Sequence, residues 1–242
     1  RNAGSSDPPA AWFAYSPDRQ GKHPELHLRS FRGVLQADAF AGYDRLFSTS
    51  REGGVLTEAA CWAHARRKIH DVYISSQSAT AEEALKRIGE LYAIEAEIRG
   101  MPETERLAAR QSRSAPLLAS LHEWMVEKSA TLSKKSRLGE AFTYALNQWD
   151  ALCYYCRDGL AEPDNNAAER ALRAVCLGKK NYIFFGSDHG GERGALLYGL
   201  IGTCRLNGID PEAYLRHILS VLPEWPSNRV GELLPWNVAI PA

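Results

Sequence analysis

Glu169 is the residue around which chemistry is most readily built. It falls in Asp164-Asn165-Asn166-Ala167-Ala168-Glu169-Arg170-Ala171-Leu172-Arg173, and Gly178-Lys179-Lys180-Asn181-Tyr182 follows closely. The pattern puts this carboxylate in the first turn of a predicted helix, with Arg170, Arg173, Lys179 and Lys180 crowded around it. An acid presented among cations at a helix start suits a site where metal and phosphate meet. The same residues also read as a capping box, with Asn166 capping the helix and Glu169 reaching back to it. The residues by themselves leave both readings open.

Two further segments carry residues of the same kind. Gly33-Val34-Leu35-Gln36-Ala37-Asp38-Ala39-Phe40-Ala41-Gly42-Tyr43 reads as a short apolar strand that ends in an acid, Asp38, and then turns into a helix. Cys61-Trp62-Ala63-His64-Ala65-Arg66-Arg67-Lys68 starts another predicted helix with a basic run. Such a run is ordinarily a solvated face, yet phosphate contacts are made by local clusters of this type. Of the seven histidines only His64 sits in a distinctive motif, and no HExxH pattern occurs.

The order of these segments resembles the catalytic region of the insertion-sequence 66 family of DDE transposases. Gly186-Ser187-Asp188-His189-Gly190-Gly191-Glu192-Arg193 and Glu232-Leu233-Leu234-Pro235-Trp236-Asn237 continue the likeness, which covers nearly the whole chain. The resemblance implies an α/β fold: an RNase H-like core, a large mainly helical insertion and a helical C-terminal part. It implies Asp38 and Glu169 as catalytic, metal-holding carboxylates. The cofactor would be Mg²⁺ or Mn²⁺ in a two-metal site, which clamps the attacking and leaving oxygens of a phosphodiester. His64, Arg66, Arg67, Lys68, Asn165, Asn166, Arg170, Arg173, Lys179 and Lys180 are the candidate DNA contacts. For His64, Asn165 and Asn166, hydrogen bonding within the core or helix capping is the rival role, and for the two arginines it is pairing with core acids. The expected partners are DNA, as transposon ends and target, and further copies of the chain on that DNA. The expected location is the bacterial cytoplasm.

The resemblance also implies a third carboxylate, an Asp on the first core strand, and no residue fits it. Asp7 lies between Gly4-Ser5-Ser6 and Pro8-Pro9, which is loop chemistry, and Asp44 and Asp71 have the wrong contexts. The expectation is a C-terminal portion that starts after the first catalytic acid, with an incomplete metal site and little or no activity of its own. The rival expectations are a non-catalytic DNA-binding or assembly relic, and a nuclease on the same fold.

Composition sets limits. The chain has 242 residues, 45% hydrophobic and 24% charged, which is ordinary for a globular protein able to bury a sizeable core. The 29 basic and 29 acidic residues cancel, so charge as a whole does not announce a nucleic-acid binder. No apolar run approaches the roughly 20 residues of a membrane span, no signal-peptide pattern is present, and the first residue is Arg1. Five cysteines at irregular spacing argue against a disulfide framework, and Cys153 and Cys156 read as core thiols beside Leu146, Trp149 and Leu152.

The elements that must position the candidates fall into four stretches: 1–70 (first half of the core), 71–160 (helical insertion), 161–206 (second half of the core) and 207–242 (C-terminal helix and Pro-rich tail). Strands are predicted at Trp12–Tyr15, Val34–Asp38 and Val55–Trp62, and a strand or extended loop at Asn181–Phe185. Thr80 and Glu83 form a capping-box pair ahead of a stripe of Ala84, Leu85, Ile88, Leu91, Tyr92, Glu95 and Ile98 at helical spacing. Leu117 to Met125 and Leu138 to Leu152 repeat that spacing, while Met101 to Ser114 reads as helix or linker. Small residues in Gly194–Leu206 allow another backbone to approach. Asp210 caps a helix that begins at Pro211.

Overall fold

A computed structural model describes residues 6–38 and 40–240. In chain order the described elements begin with α1 (Lys22–His27), β1 (Val34–Gln36), a 3₁₀ turn (Ala41–Phe47) and β2 (Thr57–Ala59). They continue with α2 (Trp62–Ser76), α3 (Ala79–Glu97), α4 (Glu103–Ala109), α5 (Ala115–Thr131), α6 (Arg137–Asn147) and α7 (Trp149–Cys153). The chain then runs through α8 (Asn166–Tyr182), α9 (Asp188–Leu206) and α10 (Pro211–Val221), and ends in short 3₁₀ turns.

The fold is mainly helical, at 65% helix, and this corrects the expected RNase H-like α/β core. Among the described residues only β1 and β2 are strands. They pair in parallel over three residues, Val34 with Thr57, Leu35 with Glu58 and Gln36 with Ala59. So short a ladder cannot serve as the central layer of an α/β domain, because parallel sheets of that class are broad and covered on both faces. The missing strands went elsewhere for physical reasons. Trp12–Tyr15 is rich in β-formers but finds its partners on a helix: Ala11 N–H donates to Thr203 Oγ1 of α9 at 3.1 Å, and the Phe13 ring packs beside Tyr198. The Asn181–Phe185 stretch is absorbed by the end of α8 and a tight turn.

The described chain divides into two compact units, one of Gln20–Asn166 and one of Ser6–Arg19 with the residues from Ala167 onward. In the first, four amphipathic helices share one core. Trp62, Ala65 and Ile69 of α2 pack with Ala84, Ile88 and Leu91 of α3, with Leu118, Leu121 and Met125 of α5, and with Ala141, Phe142 and Ala145 of α6. The apolar repeat every three to four residues produces this arrangement, since it places one stripe per helix toward the common axis. The α3 stripe falls where its spacing indicated, but the cap is Ser78, whose hydroxyl accepts from Ala81 N–H, and not Thr80. Met101–Ser114 is helix: α4 runs through a π-helical turn at Arg110–Ser114 directly into α5. Cys153 and Cys156 are free thiols, pushed up to about 12 and about 11 chiefly by burial.

In the second unit, α9 is the spine. Asn207 donates to Pro9 O at 2.8 Å, and Ala11 lies against Gly199 and Gly202, where a Cβ would crowd its carbonyl oxygen and its methyl group respectively. Asp210 caps α10 through Ala213 N–H, and the buried Tyr214 hydroxyl donates to Leu233 O at 2.8 Å.

Candidate functional site

Two of the distinctive sequence segments and the Asp164–Asn166 head of a third meet inside the Gln20–Asn166 unit. The ladder of β1 continues as Ala37 N–H donates to Ala59 O at 3.0 Å, which fixes the backbone just before Asp38. Asp38 itself is exposed. The Gln36 side chain donates to Glu162 O at 2.6 Å. Trp62 donates its backbone N–H to Pro163 O at 2.9 Å and its indole N–H to Leu152 O at 2.9 Å. Asn165 N–H donates to the Cys61 sulfur at 3.2 Å. The 162–165 segment is thereby tied to both the end of β1 and the start of α2.

A buried ion-pair network holds the approach to that segment from the other side. Arg110 forks onto Glu95 at 2.8 and 2.7 Å, and its remaining terminal nitrogen donates to the carbonyls of Tyr155, Asp158 and Ala161. Arg106 donates to Glu162 at 2.9 Å and lies 3.9 Å from Glu95. Both arginines are at most 1% exposed. A planar, always-charged fork with several donors suits this role, because it satisfies a carboxylate and several loop carbonyls at once.

The electrostatics of the region are acidic. Burial, then the charges of Cys61, Asp38 and Glu58, raise the Tyr144 hydroxyl above its ordinary range. Burial and Asp164, which accepts a hydrogen bond from Tyr92, do the same to Tyr92. Glu58 is raised by burial and by Asp44. The Cys61 thiol is raised by burial, against the lowering effect of the backbone N–H groups of Asn165, His64 and Ala63. Burial is the first cause of each shift, and nearby negative charge adds to it.

The candidates fall into two groups. Asp38, His64, Arg66, Arg67, Lys68, Asn165 and Asn166 belong to the Gln20–Asn166 unit. His64 is half-buried on the first turn of α2, and Arg66, Arg67 and Lys68 are exposed on the next. Lys68 Nζ sits 4.7 Å above the Tyr144 ring. Glu169, Arg170, Arg173, Lys179 and Lys180 lie on α8 in the other unit. Helical spacing puts Glu169, Arg173 and Lys180 on one face of α8, at i, i+4 and i+11. The four cations of α8 are exposed. At the start of α8, Asp164 Oδ1 accepts from Asn166 N–H at 3.1 Å and the helix begins at Asn166, so Asp164 and not Asn166 supplies the side-chain acceptor there.

Sequence reasoning assigned no role to Asp164, Glu58, Tyr144 or Arg110, and read Tyr92 only as a packing member of the α3 stripe. Asp164 stood in plain view at the head of its motif. Glu58 had only the alternation Thr57-Glu58-Ala59 to mark it, and the two buried arginines look in sequence like an ordinary exposed i, i+4 pair.

Comparison with known proteins adds a separate kind of observation. The model of the Transposase IS66 family matches residues 1–193, and that of the IS66 C-terminal element matches 199–236. A Sinorhizobium fredii protein named Uncharacterized protein y4hP is 40% identical over 249 residues, covering 98% of this chain and 45% of that protein. A second one from the same organism, Uncharacterized protein y4qI, is 35% identical over 241 residues with 98% and 45% covered. The chain therefore spans a little under half the length of the curated relatives it matches. No solved structure matches it significantly.

Proposed function

The chain belongs to the Transposase IS66 family, and from that premise we propose that it contributes to metal-dependent DNA cleavage and strand transfer, with Asp38 and Glu169 as the carboxylates that hold the metal. The observation that carries this reading is the tying of the 162–165 segment to the end of β1 and the start of α2. That tie holds the head of the Asp164-to-Arg173 segment beside the strand that leads to Asp38.

The donor chemistry fits a hard divalent ion. Asp38, Asp44, Glu58 and Asp164 are oxygen donors; burial first, and then one or more of these acids, raises the Tyr144 and Tyr92 hydroxyls and the Glu58 carboxyl. When bound, Mg²⁺ or Mn²⁺ would supply Lewis-acid stabilisation of charge on a phosphodiester. The chain's own residues do the rest. Lys68, Arg66 and Arg67 on α2, and Arg170, Arg173, Lys179 and Lys180 on α8, offer exposed cations to successive phosphates. The backbone N–H groups of Asn165 and Asn166 are committed to Cys61 and Asp164, which leaves their side chains for DNA.

The test is cleavage and joining of DNA that carries the element's ends, in Mg²⁺ or Mn²⁺, by a polypeptide that contains these 242 residues within a relative-length protein. Asp38→Asn and Glu169→Gln are each expected to lower the rate by at least about a hundredfold. Hydrolysis without joining would favour a nuclease. Unchanged rates in both variants would end the assignment. Since the family resemblance implies three acids and these residues supply two of them, the 242-residue polypeptide alone is expected to cut poorly or not at all.

A further inference from the structure

The turn between α8 and α9 has a conformation that its sequence resists. Ile183 adopts φ +64°, in the left-handed region. A β-branched side chain there is an outlier, because its Cβ crowds the following carbonyl. Phe184 N–H donates to Tyr182 O at 2.7 Å, so Ile183 is the centre of a three-residue turn of the strained hand. Ile183 N–H meanwhile closes back on Lys179 O at 2.8 Å.

The neighbours on either side explain how the strain is held. Tyr182 meets Tyr198 of α9 hydroxyl to hydroxyl at 3.2 Å, and its ring packs 5.0 Å from that of Phe185. Phe185 in turn covers Gly194, where a Cβ would overlap the ring, and its carbonyl closes over Gly190. Phe185 packs onto α9 and the partly exposed Tyr182 reaches Tyr198, while the two residues between them point to solvent. Ile183 is 67% exposed and Phe184 70% exposed. Lys179 and Lys180 are exposed in the last turn of α8, immediately before this tip. Of the charges in the first turns of α9, Asp188 accepts from the Tyr15 hydroxyl at 2.8 Å, Glu192 pairs with His189 at 3.3 Å, and Arg193 adds a further exposed cation.

We infer that Ile183 and Phe184 form a nucleobase-binding tip, on which an unstacked base of DNA lies against the Phe184 ring while Lys179 and Lys180 hold the flanking phosphates. An exposed ring beside cations is complementary to a polymer that alternates π-faces with negative charge. Apolar wedges that enter base steps use the same side chains. Strain that is locked in by its surroundings concentrates where a side chain must be presented. This inference rests on the DNA reading above and adds a base contact that neither the sequence motifs nor the lysines supply.

The experiment measures binding of the full chain to a duplex with a single-stranded 3′ overhang that carries 2-aminopurine, and to the matching blunt duplex. Wild type is expected to prefer the overhang and to change the probe's fluorescence. Phe184→Ala should lower overhang affinity by about tenfold or more and abolish the fluorescence change, and Phe184→Trp should keep both. Lys179→Ala with Lys180→Ala should weaken both DNAs alike and flatten the salt dependence. Because Phe184 is exposed, its variants should melt at the wild-type temperature, which separates the effect from misfolding. Wild-type binding that Phe184→Ala leaves unchanged overturns the tip alone. An oligomer that dissociates in Phe184→Ala with overhang affinity unmoved also overturns it, in favour of a protein partner. Absence of any DNA binding by wild type at low salt overturns the DNA reading and the tip together.

Discussion

In the Gln20–Asn166 unit, Arg110 is 0% exposed and Glu95 only 6%. In the unit that continues from Ala167, the seventeen-residue α8 has no fully buried residue, and Leu172 and Leu177 are about half exposed on it. The first region hides charge and the second displays apolar surface, which reverses the usual arrangement in both. Hidden charge is costly unless every donor and acceptor is matched, so it belongs where a loop must hold one position. Displayed apolar surface on a stretch that also carries exposed cations belongs where the chain meets something else. One region is built to fix geometry, and the other to make contact.

The largest effect should come from breaking the hidden pair. Arg110→Ala leaves Glu95 without its fork and strips the carbonyls of Tyr155, Asp158 and Ala161 of their donor. The expected loss is about 3–5 kcal/mol in urea unfolding. Replacing both partners at once, Glu95→Leu with Arg110→Met, should lose less, because Glu95's charge leaves with its fork and Arg106 keeps Glu162, although the loop carbonyls still lose their donor. A single substitution that costs under about 1 kcal/mol would show that the pair is not what holds the 155–161 loop.

The same deletion made once in each region sharpens the contrast. Leu121 is 1% exposed among α2, α3 and α6, whereas Leu177 is 52% exposed on α8. Leu121→Ala should cost about 2–5 kcal/mol, from lost burial and the cavity left behind. Leu177→Ala should stay within about 0.5 kcal/mol. Equal costs at the two positions would mean that α8 is packed as tightly as α5, and the contrast would fail.

Much of the first region was legible because helical spacing is a strong signal. Ala84, Ile88 and Leu91 face inward as their repeat indicates, and so do Leu118, Leu121 and Phe142. The segments around Asp38, Cys61 and Asp164 that the motifs singled out are hydrogen-bonded to one another. The sheet was over-read. Aromatic and β-branched residues at Trp12–Tyr15 and Asn181–Phe185 look like strands in any sequence, but propensity for extended backbone does not say whether the partner is a strand, a helix face or a strained turn. The buried arginines were invisible for the opposite reason. Arg106 and Arg110 sit at i, i+4 in a charged stretch, and only tertiary context reveals that Glu95, four positions beyond Leu91 on the α3 stripe, faces the same interior. Glu95 was the one polar member of that stripe, and a carboxylate at a core position asks for a buried cation.

The smallest expected effect concerns the acidic cluster at the site. Glu58 is raised above its ordinary value by burial, then by Asp44. In the unfolded chain its carboxyl loses a proton near the usual value of about 4.3. In the folded chain it keeps that proton to higher pH. Between those two points the native state binds more protons than the unfolded one, so Glu58 makes stability fall as pH rises. Its favourable contribution is complete below the ordinary value and is lost as pH passes upward through the raised one. Glu58→Gln removes the titration, so its stability relative to wild type should improve as pH climbs from about 3.5 to 7, with the two melting curves drawing together at the acid end. Divalent metal gives the comparison its point. If Mg²⁺ neutralises the gathered carboxylates, adding it at neutral pH should stabilise wild type and shrink the advantage of Glu58→Gln, whereas the cost of Arg110→Ala should not move. A metal effect of equal size on all three proteins would detach the acidic cluster from ion binding and leave it a matter of packing alone.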